Sequence, residues 1–456
     1  MGSSADLPPS AEQPQSPSAH RWRDAGWMAY RAKTVNPKTV GALPINVYEI
    51  SPDTCMMQSD GISPLPTEAL ARELSSYVKQ MGYTHVATPA DPSPDALFSF
   101  VDTMHEAGIG VILHWSPEIE PDTPQEEIAK SVLSLVRTRH LDSIRFDADE
   151  IAERLFLRFG QSDESTVRDR TADLLCTMSA CLSENAPDVL TILCDSRTRE
   201  LSTSDAPFSL RYDRAWTEDT LVYFRNDPLW RKYEHGRLTL PLSYALGANY
   251  LLPISRGDVA LGHGSLLDRM PGEYHQKFAN VRLAIAWMML RPGKKQLFMG
   301  CEIGTFREWA TDRPIEWFLT DHKYHAALQQ YCAELNHFYL ENPALWELDA
   351  SPEGFAWIDD SDEERSILSF RRTARDGSTL IAVFNCTPIE REDYRLGVPR
   401  EGAYREVFHS DAQRYGGEGR HNAGTFFAGA SAHPRQGGAL TLTLPPLSVI
   451  VLRREP

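Results

Sequence analysis

The feature that most constrains this chain is a rhythm. From residue 44 to residue 300, short apolar runs rich in β-branched residues alternate with segments of helical spacing. The runs are PINVYEI, THVATP, IGVILHW, SIRFDA, VLTIL, SLRYD, YLLPIS and KQLFMG. The first helical segment starts at Thr67, with Leu70, Leu74, Tyr77, Val78 and Met81 on one face and Gly82 placed to end it. Eight βα units in about 300 residues predict an α/β fold of the (β/α)8 TIM-barrel type, whose functional groups sit at the carboxyl ends of the strands.

After about Asp349 the rhythm changes to short alternating runs separated by turns: FAWIDD, SILSFRRTA, LIAVFNCT, YREVFHS and LTLTLPPLSVIVLR. These predict a C-terminal antiparallel β-sandwich domain. Residues 1–20, rich in Pro, Ser and Ala, read as a disordered tail without the basic and apolar blocks of a secretory signal. The expected organisation is a tail over 1–20, a barrel over 21–348 and a β-sandwich over 349–456. The stretch RRTARDGS (371–378) reads as a charged hairpin, and LGHGSLL as a loop without a phosphate site.

Charge and composition exclude several partners. With 46 Lys and Arg against 63 Asp and Glu, the formal net charge of −17 repels nucleic acid and anionic lipid. The apolar run from Leu283 to Leu290 is far short of the roughly 20 residues that cross a bilayer. Seven cysteines without paired CxxC spacing suggest free thiols, a cytoplasmic setting, no disulfide framework and no metal site. No cofactor is expected.

Three longer blocks are more specific: RMPGEYHQKFANVRLAIAWMMLRPGKKQLFMGCEIGTFREW (269–309), LWELDASPEGFAWIDD (345–360) and PLWRKYEHGRLT (228–239). In these the chain resembles the 1,4-α-glucan (glycogen) branching enzymes, a branch of glycoside hydrolase family 13. The resemblance covers about residues 21–456, and the family's N-terminal carbohydrate-binding module is not seen ahead of the barrel. It implies retaining transglycosylation, in which an Asp forms a covalent glycosyl-enzyme and a Glu serves as general acid and then base.

Measured against that family's motifs, most of the chemistry is missing. The strand-four motif, Arg, one residue, then the nucleophilic Asp, matches Arg145 and Asp147 in IRFDAD, and period two puts both on one face. The strand-five motif Ala-Glu-Glu-Ser aligns with Leu193, Cys194, Asp195 and Ser196, so Cys194 replaces the general acid. In the strand-seven motif Arg256 replaces the His and Gly257 the Asp, and in the strand-three motif His114 and Ile119 replace an Asp and a His. The connections after strands two and three are short, which implies a shallow, open rim.

Each of these positions also has a plain structural reading. Arg145 and Asp147 read as a buried ion pair closing the barrel top, His114 as a hydrogen-bonded strand-end residue, and Cys194 as a small buried hydrophobe. Three readings of function stand beside one another. One is an inactive or strongly impaired branching-enzyme homologue that binds α-glucan, such as glycogen or a maltooligosaccharide, or a protein partner. Another is an active branching enzyme or hydrolase using Asp147 with an acid supplied by Asp195 or Asp149. A third is a structural subunit docking on an active branching enzyme. Trp115 and Trp309 are the candidate sugar-stacking residues.

Overall fold

The computed structural model describes residues 20–35, 39–89, 94–115, 123–159, 164–195, 207–240, 249–429 and 437–455. The tail before residue 20, Ile119 and Ser196 lie outside these residues. The eight expected strands form a closed parallel barrel in sequence order. They are β1 (Asn46–Glu49), β2 (His85–Pro89), β3 (Gly110–Trp115), β4 (Ser143–Asp147), β5 (Leu190–Cys194), β6 (Leu210–Tyr212), β7 (Tyr250–Ile254) and β8 (Lys294–Phe298). Closure is made by β8 on β1, with Asn46 opposite Lys295 and Glu49 opposite Phe298.

Strand periodicity sorts the side chains into two layers. Val47, Ala87, Ile112, Leu190, Ile192, Leu210, Tyr212 and Leu251 form an apolar cluster inside the barrel. Val86, Val111, Leu113, Ile144, Phe146, Leu193 and Leu252 face outward into the core beneath the helices. The helix Thr67–Gln80 buries Leu70, Leu74 and Val78 as its spacing predicts. Gly82, two residues on, has φ of +75°, a conformation that glycine adopts without a Cβ penalty.

The C-terminal unit contains β9 (Phe355–Asp359), β10 (Ile367–Thr373), β11 (Thr379–Asn385), β12 (Arg391–Val398), β13 (Gly402–His409), β14 (Thr425–Ala428), β15 (Gly438–Leu444) and β16 (Ser448–Arg454). A six-stranded sheet, ordered β14-β13-β16-β11-β10-β9, packs against the pair β12-β15. Strand β12 escaped the sequence reading because a register shift between Arg391 and Tyr394 breaks its alternation. The unit does not stand apart from the barrel. Trp287, on the helix Tyr274–Leu290, lies 6.5 Å from Trp357, 5.9 Å from Phe370 and 5.2 Å from Phe384, ring centre to ring centre. The stretch 371–378 does form the β10–β11 hairpin, but Arg372 is buried there, donating to the Leu290 carbonyl at 3.0 Å and to Asp349 Oδ1 at 2.6 Å.

Candidate functional site at the barrel mouth

Polar residues at the carboxyl ends of five strands converge on the barrel axis. Arg145 of β4 is the centre: its Nη1 donates to Glu49 Oε1 at 3.0 Å and to the Tyr212 hydroxyl at 2.8 Å. Its Nη2 donates to His114 Nδ1 at 2.9 Å, and because a guanidinium has only donors, that nitrogen of His114 accepts. The Tyr212 hydroxyl donates to Gln296 Oε1 at 2.8 Å, and Gln296 Nε2 donates to Glu49 Oε2 at 2.9 Å. The backbone N–H of Arg256 adds a further donor to Glu49 Oε2 at 3.2 Å. Burial works against the charge on Arg145, but Tyr212 and Glu49 outweigh it and hold the guanidinium above its ordinary pKa.

This ring corrects one expectation. Arg145 and Asp147 do share a face, yet among the described residues no ion pair joins them. The partner of Arg145 is Glu49: both groups are buried and hydrogen-bonded to each other at 3.0 Å.

Asp147 is turned to another task. Its Oδ1 accepts from the backbone N–H groups of Asp149 at 3.1 Å and Glu150 at 3.2 Å, at the start of the helix Ala148–Phe159. That is the bonding of a helix N-cap, which satisfies donors the first turn leaves open. Directly across the sheet from Asp147 stands Cys194. Burial, and then the neighbouring Asp147, push the Cys194 thiol well above its ordinary pKa, so it stays protonated and is a poor proton donor. Asp195 is buried on the opposite, helix-facing side of β5, where its charge acts on Arg211. Asp149 is exposed on the first turn of the following helix.

The strand-seven residues form a short turn, Arg256–Asp258. Asp258 Oδ2 accepts from both the backbone N–H and the hydroxyl of Ser255 at 2.7 Å, a capping box. Gly257 is exposed, and a Cβ there would meet only Ser255 Oγ, at 3.9 Å. The Arg256 guanidinium lies 5.7 Å from the centre of the Trp309 ring. His114 Nε2 is 3.2 Å from Glu150 Oε2 without hydrogen-bond alignment.

The two candidate tryptophans differ. Trp115 packs edge-on against Phe146 at 5.6 Å. Trp309 donates to Thr54 Oγ1 at 3.1 Å and lines a cavity of about 480 Å³ together with Met57, Arg307, Glu316, Trp317 and Phe318. The cavity is built from segments following β1, β7 and β8, and none of Arg145, Asp147, Cys194 or His114 lines it. Sequence reasoning missed Glu49, Tyr212 and Gln296. The available signal was a polar residue at an inward position near the end of an otherwise apolar strand.

Residues 357–455 match the family described as alpha amylase, C-terminal all-beta domain. Among solved structures, a variant of AmyP in complex with maltotriose superposes with a TM-score of 0.65 over 95% of this chain and 99% of that one, at 12% identity. The α-amylase of Geobacillus thermoleovorans complexed with acarbose gives 0.60 over 92% and 99%, also at 12% identity. Both likenesses concern the fold. The 1,4-alpha-glucan branching enzyme GlgB of Aromatoleum aromaticum is 35% identical over 99% of this chain and 81% of its own length. That of Aquifex aeolicus is 33% identical over 96% and 80%. With such identity over nearly its whole length, and with the barrel and C-terminal β domain in place, the chain belongs to the 1,4-α-glucan branching enzyme family.

Proposed function

We propose that this branching-enzyme homologue does not carry out glycosyl transfer and serves instead to bind α-glucan. The observation that carries the reading is the pairing of Asp147 with Cys194 across β4 and β5. Retaining transfer needs two carboxyl groups about 5 to 5.5 Å apart, one of them a proton donor. Here the residue facing Asp147 is a buried thiol with a raised pKa, and Asp147 itself is engaged by two backbone donors. In this reading Cys194, Gly257, Arg256 and His114 are replacements of the acid and the sugar-orienting groups, while Arg145 has become part of a plug. Asp195 and Asp149 are poorly placed to supply an acid, the one facing the helices and the other on an exposed helical turn.

Glucan binding needs no acid, only flat apolar faces and hydroxyl partners. The cavity beside Trp309 offers both, with Arg307 and Glu316 at its wall. Iodine-stained amylose incubated with the purified protein should keep its blue absorbance, and migration in a glycogen-containing native gel should be retarded. Loss of the colour at catalytic protein concentration would refute the first half, and unretarded migration the second.

A further inference from the structure

The block PLWRKYEHGRLT lies away from the barrel mouth, on the flank where the barrel meets the C-terminal domain. Its Arg231 is fully buried and donates to the carbonyls of Cys386 at 2.9 Å and Phe224 at 2.8 Å and to Asn280 Oδ1 at 2.8 Å. Lys232 reaches Glu364 Oε2 at 3.0 Å, and His235 Nε2 meets the Asp360 carbonyl at 3.0 Å. Around this anchor the turn is tied by its own backbone, Trp230 N–H to the Asp227 carbonyl at 2.9 Å and Tyr233 N–H to the Trp230 carbonyl at 3.0 Å. The segment is thus rigid, yet it holds Trp230 58% and Tyr233 70% exposed.

Exposed aromatics on a fixed base call for an occupant. The two rings lie 6.0 Å apart and tilted by 35°. A cavity of about 330 Å³ adjoins them, walled mainly by the apolar Pro228, Leu229, Ile389 and Leu447, with Lys232 and Arg391 among its polar groups. The Arg391 Nε is buried there without a hydrogen-bond partner. Aromatic faces beside an apolar groove that carries a few polar groups match a sugar chain, whose rings present apolar C–H faces and a rim of hydroxyl groups.

We infer that Trp230 and Tyr233, with the adjoining groove, form a second α-glucan-binding site on the flank of the molecule, separate from the cavity at Trp309. The inference rests on the reading of this protein as a glucan binder. Both side chains point into solvent, so the double variant Trp230→Ala, Tyr233→Ala is expected to fold, which circular dichroism and an unchanged unfolding midpoint would verify. Binding of maltoheptaose and of glycogen is then measured for the wild type, this variant and Trp309→Ala. Loss of an aromatic anchor weakens binding about tenfold, so the double variant, with Trp309 intact, should lose at least that much affinity for glycogen. Wild-type protein that binds while the double variant binds equally well would overturn the flank site and leave the glucan reading standing. Wild-type protein that binds neither sugar would overturn both. A concentration-dependent dimer abolished by the double variant in the absence of sugar would assign the patch to self-association and overturn the site.

Discussion

The two ends of the barrel solve one physical problem with different residues. At the amino end, His105 is held between Asp24 Oδ2 at 2.8 Å and Asp142 Oδ2 at 2.7 Å. Asp142 also accepts from Trp27 Nε1 at 2.7 Å, from the Val111 N–H at 2.7 Å and from Arg31 at 3.2 Å. Those partners tie the helix Ala25–Thr34 to the barrel floor. At the carboxyl end, Glu49, Arg145, Tyr212, Gln296 and His114 bond one another across the axis. In both places buried charge is tolerated because it is paired and hydrogen-bonded. The difference lies in position: the mouth is the end at which barrel enzymes place their functional groups, and the floor is not.

If that comparison holds, breaking the floor should have the largest effect. Removing one partner from a buried charged cluster costs about 3–5 kcal/mol, so His105→Asn should lower the urea unfolding midpoint sharply, and a loss under about 1 kcal/mol would show that the cluster is not coupled. Its pH dependence has a definite sign. Burial opposes the charge on His105, but Asp142 and Asp24 outweigh it and raise its pKa. The stability it contributes is therefore complete below the ordinary histidine pKa and lost as pH rises through the raised value. Asp142 works at the other limit: despite burial, His105 and Arg31 bring its pKa down to about 2. Its contribution is lost as pH falls from about 4, the ordinary aspartate value, toward that figure. His85, brought down to about 4 by burial, subtracts stability below the ordinary histidine range and so partly opposes His105 there. Urea titrations across pH should show the alkaline loss in the wild type and not in His105→Asn.

The mouth should respond next. Glu49→Gln removes the charge facing Arg145, and hydrogen bonds to charged groups are worth about 1.5–3 kcal/mol, so a loss of that order is expected in chemical denaturation. Unchanged stability would mean that water already fills the mouth. Asp147 should matter less. Asparagine caps a helix as well as aspartate does, whereas alanine costs about 1 kcal/mol, so Asp147→Asn should be neutral and Asp147→Ala mildly destabilising, with glucan affinity unchanged in both. An amylose-branching activity abolished by Asp147→Asn would instead identify a working nucleophile.

The smallest effect is expected from restoring carboxylates. Cys194→Glu with Gly257→Asp should give no turnover of maltoheptaose above background, although the Gly257 site has room for a side chain. Groups that act as one catalytic unit are strongly non-additive, and Arg145 remains committed to Glu49. Readily measured hydrolysis by this variant would show a cleft still able to position a sugar.

Much of this was legible in one dimension. The eight strands could be read because apolar, β-branched runs report burial on both faces, a local property of each segment. The places of Cys194 and Gly257 at the ends of the fifth and seventh strands could likewise be read, since each is matched to a fixed place in the motifs of the family the chain resembles. What these positions do was decided only in three dimensions. Whether Arg145 pairs with Asp147, two residues away, or with Glu49, on the far side of the barrel, depends on which inward side chains the closed strands bring within 3.0 Å. Glu49, Tyr212 and Gln296 look unremarkable in sequence because their roles come from neighbours 67 to 247 residues distant. Periodicity is a short-range signal; the choice of partner for a buried charge is set by tertiary closure, and it is that choice which joined Arg145 to Glu49.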